Sequence, residues 1–351
     1  MTRKARIGVI GAGWWVVENH LPILQQREDV ELAGVCRLGR KELEHVRDRF
    51  GFAFATENHE ELLDHAPLDG VVIGSPHVDH YFHARAALER GLHVLVEKPL
   101  ATRTAHAREL VGLAAQNDRQ IIIPYGWNFK PYTREARRLV VGGAVGEVEH
   151  VVCQMASALR DLFSGEAMVE TEGATFRPPA STWADPQRAG GYGWGQLVHA
   201  LGLLFRVVNI APSDVFAWMG HSPTGVDLYD AASLRLANGA TGVVSGSGTV
   251  PKHLSFQVDL RVFGSEGMLL LDVERERLEL RRNDGRDTVF PMKPGDGAYA
   301  CVEPVERLVD FCLGRPVEND APGEVGMRAV EVLDAAYRSA AEGRPIRIDE
   351  L

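Results

Sequence analysis

The chain has 351 residues, more than one usual hydrophobic core accommodates, so two domains are expected. Its 45% hydrophobic and 25% charged residues are those of an ordinary globular protein, and a formal net charge of -10 argues against a general nucleic-acid or anionic-membrane binder. There is no apolar leader at the N-terminus and no run near the roughly 18 residues of a membrane span, so a cytoplasmic protein is the reading; Cys36, Cys153, Cys301 and Cys312 lack metal-ligand spacing and suit buried thiols.

The run Arg6-Ile7-Gly8-Val9-Ile10-Gly11-Ala12-Gly13 reads as a buried parallel strand ending in a tight turn, whose Gly11 and Gly13 let backbone N–H groups approach a pyrophosphate. Val16 replaces the third glycine of that fingerprint and is expected to hold the following helix away from the strand. Pro22, in Asn19-His20-Leu21-Pro22, predicts that this helix is kinked or begins late. Residues 30–36 form a second strand. Arg37 follows it, 24 residues beyond Gly13, where an acidic side chain would bind a ribose 2′-hydroxyl and an arginine suits a 2′-phosphate. Arg40 and Lys41 add positive charge, and the alternative is a solvated basic turn capping a helix over 41–50.

A third strand over 52–55, a helix over 59–65 and a fourth strand from Gly70 come next. The end of the fourth strand, Ser75-Pro76-His77, faces the ligand crevice of an open parallel sheet. His80 and His83 lie one helical turn apart, yet no cysteine or remote carboxylate pairs with them by spacing. A helix N-terminus is therefore preferred and no metal is assigned. His93-Val94-Leu95-Val96-Glu97-Lys98-Pro99 is a fifth strand ending in a charged pair. Lys98, fixed by Glu97 and Pro99, is placed to move a proton or polarise a carbonyl, the plain alternative being a strand-end salt bridge. A helix over 102–116 and a sixth strand over 120–124 complete a doubly wound α/β domain, 1–125.

Beyond Gly126-Trp127-Asn128-Phe129-Lys130-Pro131 and a helix over 132–141, the pattern changes to strands at 147–155, 214–218, 229–236, 241–246, 254–263, 267–272 and 277–281. Hairpin-like separations such as Ala237-Asn238-Gly239 join some of them. This predicts a second domain, 126–351, with an antiparallel sheet that offers one face to helices and the other to a subunit partner. A last helix over 325–341 ends at Gly343.

Gly11-Ala12-Gly13 with His20-Leu21-Pro22, Ser75-Pro76 with His80, Ala87-Leu88-Glu89-Arg90-Gly91-Leu92-His93-Val94 and above all Glu97-Lys98-Pro99 resemble the glucose–fructose oxidoreductase, inositol dehydrogenase and rhizopine catabolism (Gfo/Idh/MocA) oxidoreductases, over nearly the whole chain. Trp14-Trp15 resembles a subset of that family with a turn one residue longer. The resemblance implies an α/β fold class: an N-terminal Rossmann doubly wound parallel sheet plus a C-terminal α+β domain with a large, mainly antiparallel open sheet. Cofactor contacts are implied from Gly11, Gly13, Trp14, Trp15, Ser75, Pro76, His77, His80, Glu97, Lys98 and Asn128, and the charge pattern adds Arg37 and Arg40. Phe129-Lys130 departs from the family's Arg-Phe.

Thr182-Trp183-Ala184-Asp185-Pro186 and the run from Gly190 to His199 resemble the family's substrate-binding helix. The aspartate usual four residues before the histidine is Gly195 here; His199 is retained, and Gln196 can hydrogen-bond a sugar hydroxyl but cannot act as a base. Lys98 and His199 are thus the expected catalytic residues and Lys98, Trp183, Gln196 and His199 the expected substrate contacts, with a structural place at the domain interface as the alternative for His199. The whole reading is an oxidoreductase using NADP, or NAD, on a sugar, cyclitol or related polyol held between the domains. It would work as a homodimer or homotetramer with no nucleic-acid or membrane partner. Its rivals are a bound, recycled cofactor serving epimerisation, elimination or glycoside cleavage, and a non-catalytic dinucleotide sensor.

Overall fold

The computed structural model describes residues 3–65, 67–168 and 171–351. Strand β1 (Ala5–Ile10) is almost wholly buried, as are the apolar runs of β2 (Val30–Cys36), β4 (Gly70–Ile73) and β5 (His93–Val96); strands covered on both faces need no polar alternation. With the short β3 (Ala55–Thr56) and β6 (Ile121–Ile122) they form a six-stranded parallel sheet in the order β3-β2-β1-β4-β5-β6. The order reverses between β1 and β4, so the ligand crevice of such a fold opens beyond their carboxyl ends, at Gly11 and Gly74.

Gly11 has φ +81°, and a Cβ there would lie 2.3 Å from the backbone nitrogen of Ser75, so only glycine fits the turn. Val16 does not hold the next helix off the sheet, contrary to the sequence expectation. Its Cγ2 fills the space of the Cβ that Gly74 lacks, 2.2 Å from where that atom would stand, so the close approach is made by the glycine that follows the neighbouring strand β4. The helix opens at Trp14, widens to π register over Val16–His20 and returns to α register over Leu21–Gln25. Pro22 sits in the first turn of that second segment, where its missing N–H costs little, so the proline changes the register instead of delaying the helix.

The second sheet has nine strands in the order β14-β13-β12-β11-β7-β10-β9-β8-β15. They are β7 (Val148–Ala156), β8 (Pro212–His221), β9 (Asp227–Leu236), β10 (Thr241–Ser247), β11 (Gln257–Gly264), β12 (Gly267–Asp272), β13 (Arg277–Arg282), β14 (Thr288–Phe290) and β15 (Ile346–Arg347). Every pair is antiparallel except β7 with β10. β9 alternates buried and exposed positions, and the exposed ones include Tyr229 beside Trp218 of β8, 51% and 66% accessible. β14, β15 and the helix Val302–Cys312 are additional to the elements read from the sequence.

The chain packs as two compact units that are not two consecutive segments divided at 125. The first comprises Met1–Gly126, Ala167–Pro179 and Ala300–Met327; the second comprises Trp127–Glu166, Ala180–Tyr299 and Arg328–Leu351. All four cysteines are buried and unbridged. Among the described residues no helix is long and apolar enough to cross a membrane.

Candidate active site

In the first unit the β1 turn forms an open cradle. The Gly13 N–H donates to the Gly11 carbonyl at 2.7 Å, and a Cβ on Gly13 would meet nothing nearer than that carbonyl oxygen, 4.0 Å away. Trp14 and Trp15 stand edge to face beside it, half-buried, with centroids 5.5 Å apart. Backbone at a helix start with room above it suits an anionic ligand, so the residues fit a dinucleotide pyrophosphate.

Arg37 follows β2 with its guanidinium half-buried: Nη1 donates to the Ala12 carbonyl at 2.8 Å and Nε to the Leu38 carbonyl at 3.2 Å. Burial lowers its pKa, and the charge of Glu42 opposes this. Arg40 is exposed and its Nε donates to Glu44 at 2.9 Å, so it lies with the solvated helix surface. Glu57, not singled out in the sequence analysis, accepts at Oε1 from the Gly39 N–H at 2.7 Å and brings a carboxylate to the same turn.

Ser75 and Pro76 line the end of β4 half-buried, while His77 is buried and edge-on to His80 at 5.9 Å. His80 is fully buried, with Nδ1 2.7 Å from the Pro99 carbonyl and Nε2 2.8 Å from that of Ser75. Burial lowers its pKa and those two carbonyls pull the other way. With both ring nitrogens against carbonyls, His80 braces the turn after β4 against the turn after β5. Nδ1 of His83 lies 2.9 Å from Ser75 Oγ, and burial foremost, then the charges of His59 and His80, push His83 down to about 4. Among the described residues no group of three or more His, Cys, Asp or Glu side chains could hold a metal ion.

At the end of β5, Glu97 Oε1 lies 2.7 Å from Nε2 of the fully buried His20. Burial pushes the Glu97 carboxyl up, but the His20 hydrogen bond and the charges of His20, Lys98 and His80 outweigh it and hold the group below its ordinary range. The Lys98 N–H donates to Glu97 Oε2 at 3.3 Å. The Lys98 amino group is pulled below the ordinary lysine value by burial, against the opposing charges of Glu97 and Cys301. An amine shifted in this way exchanges its proton more readily than a surface lysine. The fully buried Tyr125 phenol is raised, first by burial and then by the Glu97 charge. Tyr125 was not singled out in the sequence and Cys301 was read only as a buried thiol, since neither lies in a motif with Lys98.

In the second unit a π turn over Gly193–Leu197 runs into the helix Val198–Val208, which carries His199. His199 is 6% exposed, edge-on to Trp127 at 6.0 Å and to Tyr299 at 5.1 Å, and Gln196 is half-buried on the π turn. A Cβ on Gly195 would lie 3.3 Å from the Phe163 ring and 3.6 Å from that of Trp183, so the direction an aspartate would take here is walled by aromatic carbon. Asn128, expected to touch cofactor, is fully buried with Nδ2 donating to the Gly202 carbonyl at 3.1 Å, a bond that braces the His199 helix.

Asp227, on β9, fixes the start of the π turn. It accepts from the Gly193 N–H and from the Tyr337 hydroxyl, both at 2.6 Å, while Tyr337 stacks on Trp194 at 5.3 Å. Asp230 is also buried, and its pKa is raised well above the usual carboxylate range, first by burial and then by the charge of Asp227. The sequence reading starts this strand at Tyr229 and singles out neither aspartate; the strand in fact begins at Asp227. Above a pH of about 4 the unfolded chain ionises Asp230 while the folded chain keeps the proton, so stability falls as pH rises toward the raised native value. Asp230→Asn should remove that slope. Calorimetry at about pH 5 and about pH 8 should find the variant gaining on the wild type, by roughly 2–4 °C for each 1.4 kcal/mol or so of removed penalty.

Residues 5–125 match the family model described as "Oxidoreductase family, NAD-binding Rossmann fold", and residues 133–270 match that of the GFO/IDH/MocA C-terminal domain. The D-glucoside 3-dehydrogenase of Escherichia coli is 30% identical over 143 residues, which span 41% of this chain and 41% of that one. A D-xylose 1-dehydrogenase (NADP(+)) of Haloferax volcanii is 26% identical over 97% of this chain and 99% of its own. Among solved structures, GenD2 from gentamicin A biosynthesis, in complex with NAD, superposes with TM-score 0.76 at 24% identity, covering 99% of this chain and 97% of that one.

Proposed function

This chain belongs to the GFO/IDH/MocA oxidoreductase family, with sugar dehydrogenases among its relatives, and from that premise we propose that it is an NADP-linked dehydrogenase or reductase of a CH–OH group on a sugar, cyclitol or related polyol. The observation that carries the reading is Lys98. Its amine is shifted toward easy proton exchange, and it stands at the carboxyl end of a central strand beside the Glu97–His20 pair, in the unit that holds the glycine cradle.

A bound nicotinamide would supply the hydride acceptor or donor at C4. Gly11, Gly13, Trp14 and Trp15 would hold its pyrophosphate end, with Ser75, Pro76 and His77 along the end of β4. Glu97 keeps its charge through His20 and fixes the Lys98 backbone. Lys98 Nζ would take the hydroxyl proton during oxidation and return it during reduction. His199 would be the second proton-handling group, with Gln196 and Trp183 as substrate contacts. Lys98 and His199 are carried by different units, so each is proposed on its own surroundings. The exposed Trp218 and Tyr229 support a homodimer or homotetramer through that sheet face, which sedimentation would measure.

NADP preference rests on Arg37 standing where an acidic residue would favour NAD; Glu57 at the same turn weighs the other way. Fluorescence titration is expected to give tighter binding of NADPH than of NADH, and one of the two should be consumed or formed with a polyol or its ketone. Equal or tighter NADH binding would return Arg37 to a structural place in the turn. Cofactor binding with no turnover across a sugar and polyol panel would favour a dinucleotide sensor instead.

A further inference from the structure

The first unit takes in a short segment from far along the chain, 167–179, in which Phe176 meets Arg37, the residue that follows β2. The Phe176 ring lies over the Arg37 guanidinium, with Cζ 4.2 Å from the ring centroid, and stands edge-on to His45 at 6.0 Å. Thr175 Oγ1 accepts from Arg49 Nη1 at 2.5 Å, and the Thr175 N–H donates to Glu18 Oε1 at 3.3 Å, an oxygen that also lies 3.7 Å from Arg49 Nη1. Glu18 belongs to the π turn after Gly13, while His45 and Arg49 belong to the helix Arg40–Phe50. The strap is therefore fastened on both sides of Arg37, to the element that follows β1 and to the element that follows β2.

Resting on the dinucleotide reading above, we propose that this strap is part of the cofactor site and that Phe176 positions Arg37 for the adenosine end of the dinucleotide. An arginine on a surface turn samples many rotamers and loses that freedom on binding. Here Nη1 and Nε of the guanidinium are tied to the Ala12 and Leu38 carbonyls, and its Cζ is held over the Phe176 ring. A planar cation held in this way offers its other face for stacking by a purine and its charge to a phosphate on the ribose. The sheet order points to the same end of the ligand, because in this fold the residue after the second strand meets the adenosine ribose. The contacts of Thr175 and Phe176 are with Glu18, Arg37, His45 and Arg49, on the elements that follow β1 and β2, whereas Lys98 stands at the end of β5.

The test separates the two halves of the cofactor. Calorimetric titration of 5′-AMP, 2′,5′-ADP and reduced nicotinamide mononucleotide into wild type and Phe176→Ala is expected to show about tenfold weaker binding of the adenosine fragments to the variant, with the mononucleotide unchanged. Phe176→Tyr should restore wild-type affinity. On the wild type, hydrogen exchange of amides within 171–177 should slow with 2′,5′-ADP and not with the mononucleotide, which gives a reading even where the alanine variant misfolds. Unchanged affinity for the adenosine fragments in Phe176→Ala, an equal loss for both halves, or exchange in 171–177 indifferent to 2′,5′-ADP would overturn the strap's role while the dinucleotide site stood. A wild type that binds neither NADPH nor NADH would overturn that site, and the strap's role with it.

Discussion

Lys98→Met is expected to lower turnover by about two to four decades, the range for removing a positioned general acid or base, with dinucleotide affinity largely kept. Methionine keeps the length and most of the volume of the lysine stem, so packing at the end of β5 should survive. The charge left behind is not stranded, because Glu97 still has His20 at 2.7 Å. The pH profile gives the sharper reading. Burial lowers the Lys98 pKa, so the amine passes from acid to base at a lower pH than a surface lysine. Oxidation of an alcohol needs the deprotonated amine, so its rate should rise with pH through that lowered value; ketone reduction needs the protonated amine and should fall over the same window. Lys98→Met should erase that limb in both directions. The matching His199→Ala change should cost a comparable factor if that histidine also moves a proton, and little if it only packs between Trp127 and Tyr299. Full activity of Lys98→Met on an identified substrate would show the proposed chemistry to be wrong whatever the cofactor does.

Features set by neighbours in sequence could be read without coordinates. The β1 turn, the apolar runs of the parallel sheet and Glu97-Lys98-Pro99 each lie within a few residues, and the parallel sheet, the second, mainly antiparallel sheet and the family emerge as expected from them. What was not legible depends on pairs that the chain separates widely. Val16 looked like a flaw in the fingerprint because its complement, Gly74, lies far along the chain, just after β4. Asp227 is an inward-facing charge in a strand, but its partners Gly193 and Tyr337 come from two other elements. His80 carries a family motif, but the bracing it gives through two carbonyls, those of Ser75 and Pro99, shows only in the folded chain. Residues 171–177 have neither helical nor strand periodicity, so nothing local predicts that Phe176 meets Arg37. Strands of two or three residues, such as β15 and β14, are too short for a period to show.

Gly13→Leu should weaken dinucleotide binding by at least about 100-fold, roughly 2.8 kcal/mol at 1.4 kcal/mol per decade, and leave the fold intact. The two glycines of the turn differ in what they tolerate. A Cβ on Gly11 would drive into the Ser75 backbone at 2.3 Å, and its φ of +81° disfavours any side chain, so Gly11→Ala should lower the melting temperature before binding can be measured. A Cβ on Gly13 meets only the Gly11 carbonyl oxygen, 4.0 Å away. The room above Gly13 is therefore not required by the packing of the protein with itself, and in the proposed site it is the room a pyrophosphate occupies against the helix start. A leucine would fill it with four carbons and keep anionic oxygen away from the N–H groups. The measurements are NADPH and NADH affinity by fluorescence, with the melting curve as the control for folding. A Gly13→Leu protein that melts like the wild type and binds both dinucleotides as well as the wild type would show that the cofactor does not lie on this turn, and would remove the ground for placing nicotinamide chemistry beside Lys98.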